Sequence, residues 1–122
     1  MDVPAQMRAV RFTGAGDNGV VRVGHEPVPD PGPGEVLLAM AAGGICGSDL
    51  HMYEGRTSFE TGRWFGHENL GEVIEVGSGV DKVRVGDYVA VPFNVACGRC
   101  RNCRARHTEV CETVNPDVSC GA

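Results

Sequence analysis

Four cysteines within fifteen residues constrain this chain more than any other feature. Cys97, Cys100, Cys103 and Cys111 are spaced C-x2-C-x2-C-x7-C, which can bring four sulfurs to one point. Four thiolates close tetrahedrally on one zinc ion at about 2.3 Å each, and Gly98 permits the tight turn that aims backbone amides at sulfur. Four protein ligands leave no open position, so such a site is structural. It would hold a lobe within residues 93–114 that has too few apolar residues to fold by itself. Two other chemistries use similar cysteines. Disulfides need an oxidising compartment, and the mixed opening Met1 to Arg11 carries no secretory leader pattern, so a cytoplasmic location is expected. The bacterial ferredoxin run also begins C-x2-C-x2-C, but its fourth cysteine follows after about three residues and precedes a proline. Here seven residues intervene and Glu112 follows. Arg99, Arg101, Arg104 and Arg106 lie among the cysteines. They read as compensation for a zinc–thiolate cluster of net negative charge rather than as a nucleic-acid patch.

A second constellation sits upstream, Cys46-Gly47-Ser48-Asp49-Leu50-His51 together with Gly66-His67-Glu68. A cysteine just ahead of a helix start has its thiolate favoured by the helix dipole. The later histidine and carboxylate add nitrogen and oxygen ligands, and Cys46, His67 and Glu68 together form an incomplete zinc set of the kind catalysis uses. Cys46 and Asp49 share a helix face, which suits Asp49 to accept the His67 ring N–H. Ser48 and His51 form another i, i+3 pair able to pass a proton outward. Taken singly, each residue has a plain structural reading: Cys46 as a small buried hydrophobe, either histidine as a satisfied polar group, Glu68 as a surface acid. Their grouping favours the metal. His25 and His107 lack such partners and are assigned to structure or surface, and Cys120 reads as a free thiol.

The rest of the chain is strand-like. Met7 to Phe12 and Val20 to Gly24 predict a hairpin around the glycine-rich turn Thr13 to Gly19. Pro27 to Gly34 is a turn-rich connector, Glu35 to Ala42 a strand, and Ser48 to Tyr53 a short helix. A polar loop from Glu54 to Arg63 follows, then alternating residues including Val73, Glu75, Val83 and Val85 that read as twisted antiparallel strands. The whole is a mainly β fold, a bent barrel with one excursion. With 122 residues, 42% hydrophobic and 22% charged, the chain fits one globular domain without an apolar span for a membrane. Its net charge of −5 argues against nucleic acid or an anionic membrane surface as main partner. Gly14-Ala15-Gly16-Asp17-Asn18-Gly19 matches the dinucleotide fingerprint G-x-G-x-x-G, yet a strand rather than a helix follows it, so it reads as a turn.

These motifs, in this order, resemble the zinc-containing medium-chain alcohol dehydrogenases: C-G-S-D-x-H, G-H-E, a G-E-V…V-G…G-D-x-V strand series and a four-cysteine lobe. The wording from Val91 to Cys103, with Gly55-Arg56-Thr57, His107-Thr108, Val110-Cys111 and Asn115-Pro116, is most similar to the glutathione-independent formaldehyde dehydrogenase branch. The resemblance implies a GroES-like domain over residues 1–122, incomplete at its end, with a Rossmann domain outside these residues. It implies two zinc ions per complete chain, a catalytic one on Cys46 and His67 with Glu68 able to ligate in some states, and a structural one on the four-cysteine lobe. It assigns Ser48, Asp49 and His51 to catalysis, Ser48 and His51 as the proton relay. It assigns Cys46, Gly47, Ser48 and His51 to the border of the NAD site, most of which belongs to the other domain. The activity that the resemblance implies is NAD-dependent oxidation of an alcohol or of formaldehyde hydrate, with zinc acting as Lewis acid on the substrate oxygen. Other zinc-dependent alcohol, polyol or threonine dehydrogenases are the alternative within the family, and a non-catalytic zinc module is the alternative outside it. The resemblance further implies a homo-oligomer when complete and no turnover by these residues alone.

Overall fold

The computed structural model describes residues 2–14 and 21–115. They fall into two compact units, Met1–Val91 and Pro92–Ala122. In the first, β1 (Gln6–Phe12) and β2 (Val21–Pro27) form the expected antiparallel hairpin, Phe12 opposite Val21. Its turn lies outside the described residues except for Thr13 and Gly14; β2 is the strand expected to follow the glycine-rich motif. A second sheet has the order β3-β4-β5, with β3 (Val36–Gly44), β4 (Glu68–Val76) and β5 (Tyr88–Val91), all antiparallel. The mainly β class holds, while the described strands make two separate sheets rather than a closed barrel.

Between β3 and β4 the chain forms α1 (Gly47–Tyr53) and then returns along β1. The amide of Phe12 donates to the carbonyl of Arg63 (2.9 Å), Gly62 donates to Phe12 (2.8 Å) and Phe65 donates to Val10 (2.8 Å). Residues 62–65 thus occupy the edge of β1 that β2 leaves open, and they deliver the chain to Gly66 and His67. Three rings fasten this return: Phe12 lies 5.3 Å from Phe59 and 5.8 Å from Phe65, centroid to centroid. Phe12 and Val73 are the buried apolar residues described in this unit.

One expected stretch of strand is absent. Val83 and Val85 lie in a loop and a turn, because the Gly86 amide (φ 96°) donates to the Val73 carbonyl and the Val73 amide donates to Asp87. That exchange closes the turn before β5 begins, and Val85 is left exposed.

In the second unit, the lobe expected within residues 93–114 contains α2 (Arg101–Arg104) and a 3-10 turn (Thr108–Val110). Its buried residues are Asn102, Cys103 and Cys111. No helix among the described residues is long and apolar enough to cross a membrane.

Candidate metal centres

In the first unit, the end of β3 places Cys46 as the residue before α1, and β4 opens with Glu68 directly opposite Gly44. This register brings His67 and Glu68 to Cys46. Cys46 Sγ lies 3.1 Å from His67 Nε2 and 2.9 Å from Ser48 Oγ, and Ser48 Oγ lies 3.3 Å from the same Nε2. Ligand atoms of Cys46, His67 and Glu68 all lie within 4.8 Å of one another.

Asp49 organises this cluster from below. Its Oδ2 accepts the Cys46 backbone N–H at 3.0 Å, closing the first turn of α1. Its Oδ1 lies 3.0 Å from His67 Nδ1 and has no other partner among the described residues, although Asp49 is only 3% exposed. A buried carboxylate oxygen needs a donor, so the proton of the neutral ring belongs on Nδ1 and the Nε2 lone pair faces Cys46. Burial lowers the basicity of His67, but the Cys46 sulfur and the Asp49 carboxylate outweigh it and raise its pKa. The Cys46 thiol is shifted down, chiefly by the Ser48 hydroxyl and the Ser48 backbone amide. A readied thiolate, an oriented imidazole and a nearby carboxylate are a donor set that fits zinc and leaves a coordination position open.

His51 stands apart from this group. Its ring is exposed and makes no hydrogen bond among the described residues, so it is not joined to Ser48. Gly47 is the first residue of α1 and touches none of these ligand atoms through a side chain. An apolar cavity of about 460 Å³ lies beside α1, lined by Val10, Ile45, Leu50, Tyr53 and Phe65 with Asp49. Cys46 and His67 are not among its walls.

In the second unit, the sulfurs of Cys97, Cys100, Cys103 and Cys111 lie within 4.8 Å of one another. Zinc–sulfur bonds of about 2.3 Å place tetrahedral sulfurs about 3.8 Å apart, inside that limit. The surrounding amides already solvate sulfur: Cys97 Sγ accepts from Arg99 (3.4 Å) and Cys100 (3.3 Å), Cys111 Sγ from Cys97 (3.3 Å), and Cys100 Sγ from Cys103 (3.4 Å). Gly98 takes φ 74°, as the tight turn requires. The Thr113 hydroxyl and the Arg99 and Cys100 amides hold the Cys97 thiol down to about 5, whereas burial pushes Cys103 up to about 12. A cation among these sulfurs would remove that asymmetry, and the donor set fits structural zinc.

Two of the arginine side chains in this unit have partners other than the sulfurs. Arg101 pairs with Glu112 at 3.0 Å, and Arg104 Nε donates to the Arg99 carbonyl at 2.8 Å. Asn102, unremarked in the sequence, is buried and donates to the Val110 carbonyl at 2.8 Å, tying α2 to the 3-10 turn. Its only sequence signal is an uncharged residue between two arginine-flanked cysteines. His107 lies 3.4 Å from Glu109, and His25 sits opposite Arg8 on the hairpin, both apart from the metal groups. Cys120 lies outside the described residues.

Comparison with known proteins identifies the family of the chain. The chain is 45% identical over 119 residues to the glutathione-independent formaldehyde dehydrogenase of Pseudomonas aeruginosa, covering 94% of this chain and 30% of that protein. It is 47% identical over 89 residues to the L-threonine 3-dehydrogenase of Pyrococcus furiosus, covering 70% of this chain and 26% of the relative. The cobalt- and zinc-bound thermostable alcohol dehydrogenase of Pyrobaculum aerophilum superposes with a TM-score of 0.76 at 33% identity, over 90% of this chain and 33% of that one. This chain therefore spans about a third of the length of the proteins it matches. The family model of the alcohol dehydrogenase GroES-like domain matches residues 32–122, and the chain belongs to that family.

Proposed function

We propose that these residues are the zinc-binding catalytic part of an NAD-dependent dehydrogenase that oxidises an alcohol or the hydrate of formaldehyde. The observation that carries this reading is the convergence of Cys46, His67 and Glu68 over a buried Asp49. A purely structural zinc module has no use for a second, incompletely ligated centre. The 45% identity to a formaldehyde dehydrogenase supports the substrate, and the 47% identity to a threonine dehydrogenase supports the alternative of another zinc-dependent alcohol dehydrogenase.

A zinc ion held by Cys46 and His67 would supply Lewis acidity toward a substrate oxygen, and a bound nicotinamide cofactor would supply the hydride acceptor. The chain's own residues prepare the rest. Cys46 and His67 offer Sγ and Nε2 to one side of the centre, and Asp49 keeps the proton on Nδ1 so that Nε2 stays available. Ser48 Oγ, beside both ligand atoms, is the hydroxyl placed to take a proton from a bound substrate hydroxyl. His51, exposed on the same helix, receives that proton through solvent rather than by direct contact. Cys97, Cys100, Cys103 and Cys111 hold the structural zinc.

Metal analysis of the full-length protein tests the assignment. We expect two zinc ions per chain, one lost selectively in Cys46→Ser and the other in Cys100→Ser. A zinc content indifferent to Cys46→Ser would overturn the catalytic centre. Comparing turnover of formaldehyde, simple alcohols and threonine decides the substrate.

A further inference from the structure

Gly44 ends β3 directly opposite Glu68, the first residue of β4. A methyl group on Gly44 would stand on the Glu68 carboxylate: it would overlap Oε2 and lie 3.1 Å from Cβ and 3.4 Å from Cδ of that side chain. Among the described residues no other atom approaches as closely, and the backbone of Gly44 is not in the left-handed region. Glycine is therefore not needed here for its own conformation. The space it leaves is filled by the carboxylate of Glu68.

That carboxylate is also the one whose oxygen comes within 4.8 Å of the Cys46 and His67 ligand atoms. Glu68 is otherwise exposed and has no ion pair or side-chain hydrogen bond among the described residues. The hollow at Gly44, two residues before Cys46, leaves the room in which that carboxylate lies. We infer that Gly44 is a positioning residue for the candidate catalytic zinc, its missing side chain giving the Glu68 carboxylate the room to lie within reach of the metal. This inference rests on the reading of Cys46, His67 and Glu68 as a metal centre.

The Glu68 carboxylate can swing aside, whereas its Cβ, 3.1 Å from the added methyl, is fixed to β4, so alanine at position 44 displaces the carboxylate and also presses the two strands slightly apart. The Gly44→Ala protein should fold with a small loss of melting temperature, equal in the Glu68→Ala background because that variant keeps the same Cβ. The test uses the full-length protein with zinc or cobalt(II) as probe, following the metal that Cys46→Ser removes. Affinity is read by chelator competition and geometry by the visible spectrum of cobalt(II). Gly44→Ala is expected to weaken zinc at this centre on the order of tenfold and to shift the cobalt bands as Glu68→Ala does. In the Glu68→Ala background, where no carboxylate remains to displace, Gly44→Ala should have no further effect on the metal.

Wild-type affinity and spectrum in Gly44→Ala would overturn the inference. So would a loss of affinity that persists in full in the Glu68→Ala background. If Cys46→Ser removes the metal while Glu68→Ala leaves its affinity unchanged, the positioning role fails and the metal centre stands. If Cys46→Ser removes nothing, the metal centre itself fails, and this inference with it.

Discussion

Asp49 does two jobs with one carboxylate, accepting the Cys46 amide with Oδ2 and facing His67 Nδ1 with Oδ1. Asparagine keeps the volume but turns an N–H2 toward one of these two donors. We expect Asp49→Asn to lower zinc affinity at the Cys46 centre roughly 10- to 100-fold and to weaken the start of α1 by about 1 kcal/mol. Zinc titration against a competing chelator measures the first effect, and an affinity equal to wild type would sink the role. Arg11 and Glu26 make a different kind of pair. The Arg11 side chain, 2.6 Å away, holds the Glu26 carboxyl below its ordinary value of 4.5 against the opposing effect of burial. A carboxylate depressed in the folded state stabilises the fold above its unfolded value, and the contribution is lost as the pH falls through the folded one. Acid titration of the melting temperature should therefore drop more steeply below about pH 4.5 in wild type than in Glu26→Gln. Equal slopes would contradict the pairing. The Asp49–His67 contact was readable from the i, i+3 spacing of Cys46 and Asp49. The Gly44–Glu68 contact was not, since no local pattern relates residues 24 positions apart.

At the scale of elements, the return of residues 62–65 along β1 aims the histidine. Its fastening is a cluster of three phenylalanines around Phe12, which is 3% exposed. Phe12→Ala leaves a cavity among rings that cannot easily collapse, and it should cost about 3–5 kcal/mol of stability. Because Phe65 stands two residues from His67, the same change should loosen the Cys46 zinc before the fold itself melts. Denaturant unfolding together with metal retention checks both halves; a loss of stability with wild-type metal retention would show that the clamp does not position His67. The sequence made β1, β2, β3 and α1 legible through alternation, a glycine-rich turn and a cysteine ahead of a helix start. It did not show the clamp, because Glu54 to Arg63 is polar apart from Phe59 and its glycines, and the bonds that attach its end to β1 are backbone bonds of Gly62 and Arg63. The alternation of Val83 and Val85 misled for a related reason. A pattern of period two describes which way side chains would point, while the pairing of Val73 with Gly86 and Asp87 used up the partner strand.

On the scale of the molecule, the apolar core described is thin: Phe12 and Val73 in one unit, Cys103 and Cys111 in the other. A unit whose buried apolar side chains among the described residues are both cysteines depends on what those sulfurs bind. Removing zinc from the full-length protein with a chelator should therefore unfold residues 92–115 while β1, β3 and β4 keep their protected amides, and Cys100→Ser should do the same. Hydrogen exchange resolved by residue reads the outcome. Persistent protection of the α2 amides without zinc would show that the lobe folds on its own.

The sequence by itself determined the chemistry that depends on short spacing: four cysteines able to share one ion, a helix that begins beside Cys46, and a hairpin at the start. Such features are legible because the bonds that make them join residues a few positions apart. Tertiary structure decided which of the remaining groups meet. It set Glu68 against Gly44 by strand register, turned His67 toward Cys46 through the clamp on β1, and left His51 outside the cluster. Those outcomes depend on how two strands and a returning loop align. That alignment is a choice among long-range pairings that side-chain patterns alone leave open.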